Sequence, residues 1–448
     1  MSEEELEKTI LQRCGDLSKQ ELDRLIESKL RTSPFLTRLG ALLIVLEERN
    51  LLDDFPKEKS AERYEFTRIS SLTSGLKSVS VVGRVLGFRR FLTSDNRPFW
   101  RIRLWDGTGA VDVLVWSDVE NLGEISFGDA VAVWNGYVSS PTADRPFVLN
   151  AGSRSRVEKL SFCENLPDLD FSRLRLAEDF TAGPRTVDFS AVVVLNTGAR
   201  RKKDDVKCLE LVVSDGFREV LFTAWREWAD ALANVSEGTR FVAASAEVKG
   251  DELQTGFGTI ITVMDQDREV FEKALSRSFD KLFLKIVGVG LDGLLVATDG
   301  ADLKKLVAPE AGAGVDVIVE RAFVIYRRGV PHIYGKSFQH AEKHLKTPEF
   351  QGSLDEVDGR HHAGLVRCRV LRKTPLAEMA TRYGLKKVVS LWVEHMGKTY
   401  ACSAWGAAAE RIDGVGPGEE ISLAFIKVKR NNYGEVELSI DGHSYIDA

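Results

Sequence analysis

Apolar side chains in the first fifty residues recur at helical spacing. They lie at Leu22, Ile26, Leu30, Leu36, Leu39, Leu42, Leu43 and Leu46. An apolar face this wide is normally buried against other helices. Ser18, followed three residues later by Glu21, is the pattern of a capping box, which begins a helix. The sequence therefore predicts a small module of three helices over residues 1–52, followed by a charged, aperiodic linker over residues 53–66.

From residue 66 onward the pattern changes to short runs rich in valine and isoleucine, broken by glycine, aspartate and proline. Such runs are typical of short β-strands in a barrel or a sandwich. The first five predicted strands cover residues 79–86, 99–105, 110–116, 130–138 and 146–150. Five strands in about 80 residues is the number expected of an OB-fold barrel, a small barrel that binds its ligands with one face and two loops.

A turn motif recurs along the chain and indicates repeated barrels. The Asp-Gly turn at Asp106 precedes Trp116 by ten positions, and the Asp-Gly turn at Asp215 precedes Trp225 by the same spacing. Because glycine tolerates the positive φ of a hairpin, the motif predicts fold rather than chemistry. These two tryptophans, and Trp405 in a looser later copy, are expected to be core residues, since a recurring aromatic on a barrel strand usually packs inside.

The predicted fold is mainly β, with three to four tandem OB-fold barrels behind the helical module. The barrels are placed at residues 66–160, 185–270, 280–345 and 360–448. In the third region the strand patterns cover residues 282–287, 293–297, 315–327 and 332–338, without a clear first strand. We therefore expect the region 280–345 to be a divergent or partial barrel.

Composition limits the class of protein. The 448 residues are 44% hydrophobic and 29% charged, as in folded globular proteins. A net charge of −6 argues against non-specific coating of polyanions but allows a local basic groove. The sequence has no apolar run of about 18 residues and begins with an acidic segment, so we expect a cytoplasmic, nucleoid-associated protein rather than a membrane or secreted one.

Cysteine and histidine form no recognisable metal site. The five cysteines contain no CxxC pair, and the helix-spaced pair His340 and His344 lacks the glutamate of a HExxH motif. The sequence also has no GxxxxGK[ST] phosphate loop and no GxSxG nucleophile motif. We therefore expect no metal, no cofactor and no enzymatic activity, which leaves binding as the predicted function.

The strand over residues 99–105 carries the strongest binding pattern. Side chains alternate between the two faces of a strand, and Ile102 with Leu104 identifies the core side. The opposite side then carries Phe99, Arg101, Arg103 and Trp105. Aromatic rings stack on unpaired bases and guanidinium groups contact phosphates, so this face is predicted to bind single-stranded nucleic acid.

Further basic and aromatic residues extend the predicted groove. In the first barrel they are Arg84, Arg89, Arg90, Trp134, Tyr137 and, as a residue at the rim, Trp100. An unbroken strand cannot place residues 134 and 137 on one face, so either one of them is core or a bulge at Gly136 brings them together. Candidates in the later barrels are Arg200, Arg201, Lys202, Lys203, Arg367, Lys427, Lys429, Arg430 and Tyr433. The run 200–203 fits a solvated charge cluster equally well.

Several runs in the first barrel carry a family resemblance. They are Ile69-Ser70-Ser71-Leu72, Gly75-Leu76-Lys77, Val82-Gly83-Arg84-Val85, Arg103-Leu104-Trp105-Asp106-Gly107-Thr108-Gly109 and Gly128-Asp129. Over residues 66–155 the chain resembles the OB domains of archaeal replication protein A. The resemblance implies a non-catalytic protein that coats single-stranded DNA in replication, repair and recombination, with stacking from Arg84, residues 99–105 and Trp134. The Cys-rich zinc finger of some members is missing from this sequence.

Single-stranded DNA is therefore the predicted partner. Replication or repair proteins are expected to dock on the N-terminal helices, and self-association or cooperative assembly on DNA is a further expectation. Two alternatives remain open at this point. An OB protein that binds RNA would use the same chemistry, because discrimination depends on contacts near the 2′-hydroxyl. A scaffold whose barrels bind other proteins would carry the same fold.

Overall fold

The computed structural model divides into two compact units, Met1–Phe66 and Thr67–Ala448. It describes residues 7, 10–11, 17–32, 38, 41–42, 44–45, 66–116, 125–140, 147–161, 163, 166–171, 174–176, 186–201, 206–308, 314–327, 329–341, 345–357, 361–362, 364–381 and 384–448. The predicted linker over residues 53–66 lies outside the described residues, except for Phe66.

The first unit is built around helix α1 (Lys19–Thr32). Its first turn is the predicted capping box, in which the Glu21 N–H donates to the Ser18 hydroxyl over 3.3 Å and the Ser18 N–H donates to the Glu21 carboxylate over 2.9 Å. Helical backbone is also described at residues 7, 10, 11, 38, 41, 42, 44 and 45. The shared apolar core contains Ile10, Leu17, Leu22, Ile26, Ala41, Leu42 and Val45. An N-terminal helical module is confirmed, while its three helices and its bounds at residues 1–52 stay predictions. In the part of the chain that the structure describes, no helix has both the length and the hydropathy to cross a bilayer.

The second unit begins with a closed barrel. Its strands are β1 (Val79–Leu92), β2 (Pro98–Trp105), β3 (Ala110–Val115), β4 (Ala130–Val138), β5 (Leu149–Ala151) and β6 (Arg156–Leu160). The order is β1-β2-β3-β5-β4-β6, and the pairing of β1 with β4 closes the barrel. A short 3₁₀ helix, Ile69–Ser71, precedes β1, and its Ile69 N–H donates to the Asp106 carboxylate over 2.7 Å. This bond gives the Asp-Gly turn a role in the fold.

Two more barrels repeat this strand order, and a fourth follows it with added strands and with its fourth strand divided in two. The second contains β7 (Thr186–Arg201), β8 (Lys207–Ser214), β9 (Glu219–Trp225), α2 (Glu227–Ala231), β10 (Thr239–Lys249), β11 (Glu252–Gln254), β12 (Ile260–Gln266) and α3 (Arg268–Leu275). The third contains β13 (Phe279–Val289), β14 (Leu295–Thr298), β15 (Leu303–Val307), β16 (Asp316–Arg327), β17 (Val330–Tyr334) and β18 (Ser337–Ala341). The fourth contains β19 (His361–His362), β20 (Val366–Lys373), β21 (Ala377–Thr381), β22 (Gly384–His395), β23 (Lys398–Trp405), α4 (Ala407–Asp413), β24 (Glu420–Ala424), β25 (Ile426–Arg430), β26 (Val436–Ile440) and β27 (Tyr445–Asp447). The mainly β fold with tandem OB barrels is confirmed.

The third barrel has a full set of strands. Its first strand, β13, pairs with β16 and closes the circuit as β1 and β4 do in the first barrel. The expectation that it lacks a first strand was wrong, because the strand that the sequence pattern hid is β15. Lys304 and Lys305 interrupt the apolar run of β15, yet Lys305 is buried and forms an ion pair with Asp292. A buried ion pair has no signature in a hydrophobic pattern.

One hydrogen bond recurs in all four barrels. A glycine with positive φ precedes the fourth strand, and its N–H donates to the carbonyl of a core residue on the first strand over 2.7–2.9 Å. The donor and acceptor pairs are Gly128 and Val85, Gly238 and Val193, Gly314 and Ile286, and Gly418 and Val370. Seven positions after each glycine, a non-glycine residue also has positive φ: Asn135, Ser245, Arg321 and Phe425. These two features therefore repeat through all four barrels.

Candidate nucleic-acid interface

Strand β2 has the two faces that the alternation predicts. Ile102 and Leu104 belong to the core of the first barrel, and Trp100 packs against that core. Phe99, Arg101, Arg103 and Trp105 lie on the outer side. The second barrel, however, covers most of that side.

Trp105 and Arg103 contact the second barrel directly. Trp105 is 8% exposed and packs in an apolar cluster with Leu86, Val242, Ala244 and Ile260. The Arg103 guanidinium binds both carboxylate oxygens of Asp188 on β7, with nitrogen–oxygen distances of 2.8–3.1 Å. It also lies 3.5 Å from the Asp112 carboxylate on β3.

Asp112 joins the two arginines of β2. The Arg101 guanidinium donates to its carboxylate over 2.6 Å, and the Ser245 hydroxyl donates from the second barrel over 3.4 Å. Burial alone would raise the pKa of the Asp112 carboxyl, but Arg103 and Arg101 outweigh it and hold this pKa below its usual range. Burial also opposes the charge of Arg103, yet Asp188 and Asp112 raise the pKa of its guanidinium.

The expectation of an open groove over Arg101, Arg103 and Trp105 is therefore wrong. Arg103 pairs with Asp188 and Trp105 packs in an apolar cluster because the second barrel lies on this face, and Arg101 pairs with Asp112 of the first barrel. A side-chain carbon added at Gly258 of the second barrel would lie 1.8 Å from an Arg101 guanidinium nitrogen, which shows how close the packing is. These side chains hold two barrels together and are not accessible to a strand of nucleic acid.

Aromatic rings form a ladder at the rim of this interface. Its members are Phe257, Phe91, Phe99 and Trp116, with successive ring centroids 5.6, 5.7 and 4.8 Å apart. Phe91 and Phe99 face each other across the β1–β2 hairpin, whereas Phe257 comes from the loop between β11 and β12. The two ends are exposed, Trp116 by 42% and Phe257 by 72%. The aromatic ladder therefore offers stacking surface to solvent.

Three arginines lie in the β1–β2 hairpin, and one of them contacts the aromatic ladder. The Arg89 guanidinium lies 5.4 Å from the Phe91 ring centroid and 5.0 Å from that of Trp228, and it donates to Glu227 over 2.6 Å. Arg90, the next residue on β1, is exposed. Arg97 is also exposed and pairs with Asp95 in the hairpin turn. Arg89 therefore lies beside the ladder, whereas Arg90, paired with Trp100 of β2, points to the other face of the hairpin.

Trp134 and Tyr137 lie on β4 on either side of a bulge. Asn135 has a positive φ of 56°, one residue before the predicted bulge at Gly136. Neither aromatic residue belongs to the apolar core as far as the structure describes it, and Tyr137 is exposed. The alternative in which one of them is core was therefore wrong. The Arg156 guanidinium covers the Trp134 ring, 5.2 Å from its centroid.

Arg84 is tied to the segment that follows the first barrel. Its guanidinium donates to the Pro167 carbonyl over 3.3 Å and to the Asp168 carboxylate over 2.8 Å. A third bond reaches the Gly128 carbonyl over 3.2 Å. These bonds give Arg84 a structural role beside its predicted role in binding.

The remaining predicted residues belong to the regions of the second and fourth barrels. Arg200 and Arg201 lie at the end of β7, and Lys202 and Lys203 lie outside the described residues. Arg367 of the fourth barrel pairs with Glu349 over 2.6 Å. It lines an open cavity of about 570 Å³ together with Lys285, Asp316, Lys346 and Glu349.

The β25–β26 hairpin carries the last predicted group. Lys427 forms an ion pair with Asp441 over 2.9 Å, and Lys429 is exposed. Arg430 donates to the Gly434 carbonyl over 3.0 Å, within the hairpin. Tyr433 at the tip is 90% exposed.

Neither end of the aromatic ladder was predicted to bind from the sequence. Trp116, Trp225 and Trp405 were expected in the core, but none belongs to the apolar core of its barrel in the described chain. The alternation of side chains along β3 gives the right position for Trp116. Val113 and Val115 point inward, so Trp116 must point outward. Phe257 had no such signal, because it comes from a loop of another barrel.

The described residues contain no group of three or more histidine, cysteine, aspartate and glutamate side chains that could hold a metal ion. Of the cysteines, Cys208, Cys368 and Cys402 are buried. Burial raises the pKa of the Cys368 thiol to about 12, so this thiol stays protonated at neutral pH.

No family model matches this chain, and no curated protein sequence matches it. Among solved structures, a replication protein A heterotrimer bound to single-stranded DNA aligns at 12% identity and a TM-score of 0.35, covering 84% of this chain and 95% of the other. The second OB-fold domain of replication protein A from Methanococcus maripaludis aligns at 19% identity and a TM-score of 0.18, covering 21% and 91%. A replication factor A related protein from Methanobacterium thermoautotrophicum aligns at 23% identity and a TM-score of 0.19, covering 22% and 93%. Likeness at this level carries no argument about function.

Proposed function

We propose that this chain binds unpaired nucleic acid, with single-stranded DNA as its ligand, by stacking bases on the aromatic ladder. The observation that carries the proposal is the run of four rings, Phe257, Phe91, Phe99 and Trp116, with two exposed ends. Exposed rings in series are costly in water, and they present flat faces that any unpaired base can stack on. Duplex DNA hides those base faces, so the ladder favours single strands.

The cations beside the ladder supply the second half of the chemistry. Arg90 and Arg97 are exposed in the β1–β2 hairpin that carries Phe91. Guanidinium groups contact phosphates without reading sequence, which suits a protein that coats a strand. Together the ladder and the arginines support binding with little sequence preference and strong salt dependence.

The cellular role follows from the resemblance of the first barrel. We place the protein inside the cell, where it coats and protects single-stranded DNA during replication, repair and recombination without catalysing a reaction. The N-terminal helical unit is proposed to dock replication or repair proteins. Self-association or cooperative assembly on DNA belongs to the same proposal.

The test measures affinity for a labelled, unstructured DNA oligonucleotide by fluorescence anisotropy. Trp116→Ala and Phe257→Ala should each weaken binding by about 1–3 kcal/mol, which is roughly 5- to 150-fold, because each removes one stacking face. The matched control is Phe217→Ala, which removes another exposed phenyl ring outside the ladder. Arg90→Gln should reduce the slope of log affinity against log salt by about 0.7, the loss of one phosphate contact.

Competition completes the design. A matched duplex should compete poorly and a matched RNA strand less well than DNA. Affinity that is unchanged in both ladder variants, or indifferent to salt, would overturn the proposal. Stronger competition by RNA would assign the site to RNA instead.

A further inference from the structure

The barrels pack on one another through an outer face that recurs in each of them. The first strand of every barrel has a register shift opposite the second strand, and the residue inside the shift lies on this outer face. In the first three barrels this residue is Leu86, Val194 or Val287, and each packs in an apolar cluster with the following barrel. In the fourth barrel it is Leu371, which is 40% exposed. Three outer faces are therefore covered, and the outer face of the fourth barrel is open.

The following barrel packs directly on the position after the shift. This position is Gly87 in the first barrel, Leu195 in the second and Gly288 in the third. A side-chain carbon added at Gly87 would lie 2.8 Å from Ile260, and one added at Gly288 would lie 2.7 Å from the Tyr445 ring. Leu195 belongs to the apolar cluster that joins the second and third barrels. A docking barrel therefore meets either bare backbone or an apolar side chain at this position.

The fourth barrel has an exposed arginine at the same position. Arg372 pairs with Trp392 on β22, and its guanidinium lies 3.9 Å from the centroid of the Trp392 ring. The stacked guanidinium occupies the space that a docking barrel would fill. Docking would also remove this charge from water, which is costly.

The docking side of the contact uses the fourth strand and, in two of three cases, the last strand of a barrel. In the second barrel Ala244 of β10 pairs with Ile260 of β12, and in the fourth barrel Ala424 of β24 pairs with Tyr445 of β27. Each alanine lies six residues after the glycine with positive φ that precedes the fourth strand. All four residues pack in the apolar clusters shared with the preceding barrel. The third barrel docks with a later part of its fourth strand, at Phe323.

The first barrel carries Trp134 and Arg156 at the positions of this pair. Trp134 of β4 also lies six residues after its glycine, Gly128, and it pairs with Arg156 of β6. The Arg156 guanidinium lies 5.2 Å from the Trp134 ring centroid, and the Arg156 side chain is 62% exposed and forms an ion pair with Glu158. The two end faces of the four-barrel array, which are built from different strands, therefore carry the same contact between an arginine and a tryptophan.

We infer that these two pairs, Trp134 with Arg156 and Trp392 with Arg372, are end caps that keep the four-barrel array from docking on a second copy of this chain. A second copy is the partner that fits, because each chain has a docking side in its first barrel and a receiving face in its fourth. The corresponding contact occurs three times within the chain. Joining unlike faces of identical chains produces rings or open-ended filaments.

The end caps oppose this assembly by size and by charge. They place large side chains where inner barrels have glycine, alanine or isoleucine, and a guanidinium stacked on an indole is costly to remove from water. Arrays of stacked units need end units with a polar outer face to stay soluble. The inference goes beyond the proposed function and does not depend on nucleic-acid binding. It implies that the proposed self-association on DNA uses other surfaces of the chain.

Analytical ultracentrifugation of variants with one opened end tests the end caps. Trp134→Ala with Arg156→Ile gives the first barrel the alanine and isoleucine of the second barrel, and Trp392→Val with Arg372→Gly gives the fourth barrel the glycine and valine of the third. The unaltered chain should be monomeric, and so should each variant alone, because its other end is still capped. An equimolar mixture of the two variants should form a one-to-one dimer with twice the monomer mass. A chain with all four substitutions should form larger oligomers that grow with concentration.

Conservative substitutions provide the control. Arg156→Lys with Arg372→Lys keeps a cation near each ring and should leave every sample monomeric. If a thermal transition shows that a variant with two substitutions is unfolded, Arg156→Ala and Arg372→Ala take the place of the two variants, since each only shortens an exposed side chain. Their mixture should form a weaker dimer.

Two results would overturn the end caps. Assembly of the unaltered chain that Arg156→Ala or Arg372→Ala weakens would show that the pairs are contacts between copies and not caps. Folded variants that stay monomeric when mixed would show that something other than these pairs keeps the end faces apart. Neither result involves an oligonucleotide, so the proposed nucleic-acid site at the aromatic ladder is tested separately.

Discussion

Charged side chains between the first two barrels show how burial decides what a residue does. The Arg103 guanidinium donates one hydrogen bond to each carboxylate oxygen of Asp188 and also lies near one oxygen of Asp112, while Arg101 pairs with the other oxygen of Asp112. A buried ion pair of this kind contributes little net stability compared with an apolar substitute. Removing one partner, however, leaves the other charge buried and unpaired, which is strongly destabilising. These residues therefore matter to the joint between barrels.

Asp112→Asn tests this ion cluster through pH. Because the pKa of Asp112 is lower in the folded protein than the ordinary value of about 3.9, the unfolded chain binds the proton first as pH falls. The stabilisation is therefore complete above that ordinary value and is lost as pH falls through the folded-state pKa. Urea unfolding should show that the variant is less stable by about 3–5 kcal/mol at pH 7, with a smaller deficit below about pH 4.

Asp168→Asn is the control for that experiment, since Asp168 also pairs with an arginine but its side chain is 98% exposed. Its effect should stay within about 1 kcal/mol at every pH. A deficit in Asp112→Asn that does not change between neutral and acid pH would contradict the argument, because it would show that the carboxyl has no depressed pKa.

At the scale of elements, the kink in each fourth strand is the feature that repeats most regularly. Asn135, Ser245, Arg321 and Phe425 have φ between 47° and 56°, each seven positions after a glycine with positive φ. Positive φ is unfavourable for residues with a side chain, so the kinks persist because strand pairing on both sides fixes them. The kink lets one strand pair first with the first strand and then with the fifth.

Asn135 allows this strain to be measured at an exposed position. Its side-chain amide donates to the Arg154 carbonyl over 2.9 Å, and both Asn135→Gly and Asn135→Val lose that bond. The valine variant should be less stable than the glycine variant by about 1–2 kcal/mol in urea unfolding, because a β-branched residue resists positive φ. The same pair of substitutions at Thr399, an exposed position within β23, should give the opposite order, since valine favours ordinary strands. Equal stability of the two Asn135 variants would show that the kink carries no strain.

Much of this architecture could be predicted from local pattern. Alternation located β1 to β4, placed Ile102 and Leu104 inside, and Ser18 with Glu21 marked the start of α1. Parity could also have placed Trp116 outside. The covering of Arg103 and Trp105 could not be predicted, because the groups that cover them come from the second barrel, more than eighty residues further along the chain. For the same reason, the place of Phe257 in the aromatic ladder could not be predicted.

At the scale of the molecule, each of the first three barrels packs against the barrel that follows it. The four barrels therefore form one body and not four independent domains. Residues 67–448 form one compact unit, and consecutive barrels share apolar clusters of fully buried side chains. Such a body should unfold cooperatively, with one calorimetric transition for the four barrels. The coupling between the first two barrels should depend on the close approach of Gly87 on β1 to Ile260 of the second barrel.

Gly87→Leu tests this coupling. The added side chain would collide with Ile260 and force the first two barrels apart, at a cost of about 1–3 kcal/mol. Scanning calorimetry should then resolve a separate, lower transition for the first barrel, and the van't Hoff enthalpy should fall below the calorimetric enthalpy. Gly152→Leu is the matched control, because an added side-chain carbon there has nothing within 4 Å, and it should keep the single transition. If Gly87→Leu also unfolded in one two-state transition, the contact between Gly87 and the second barrel would not be what makes the barrels unfold together.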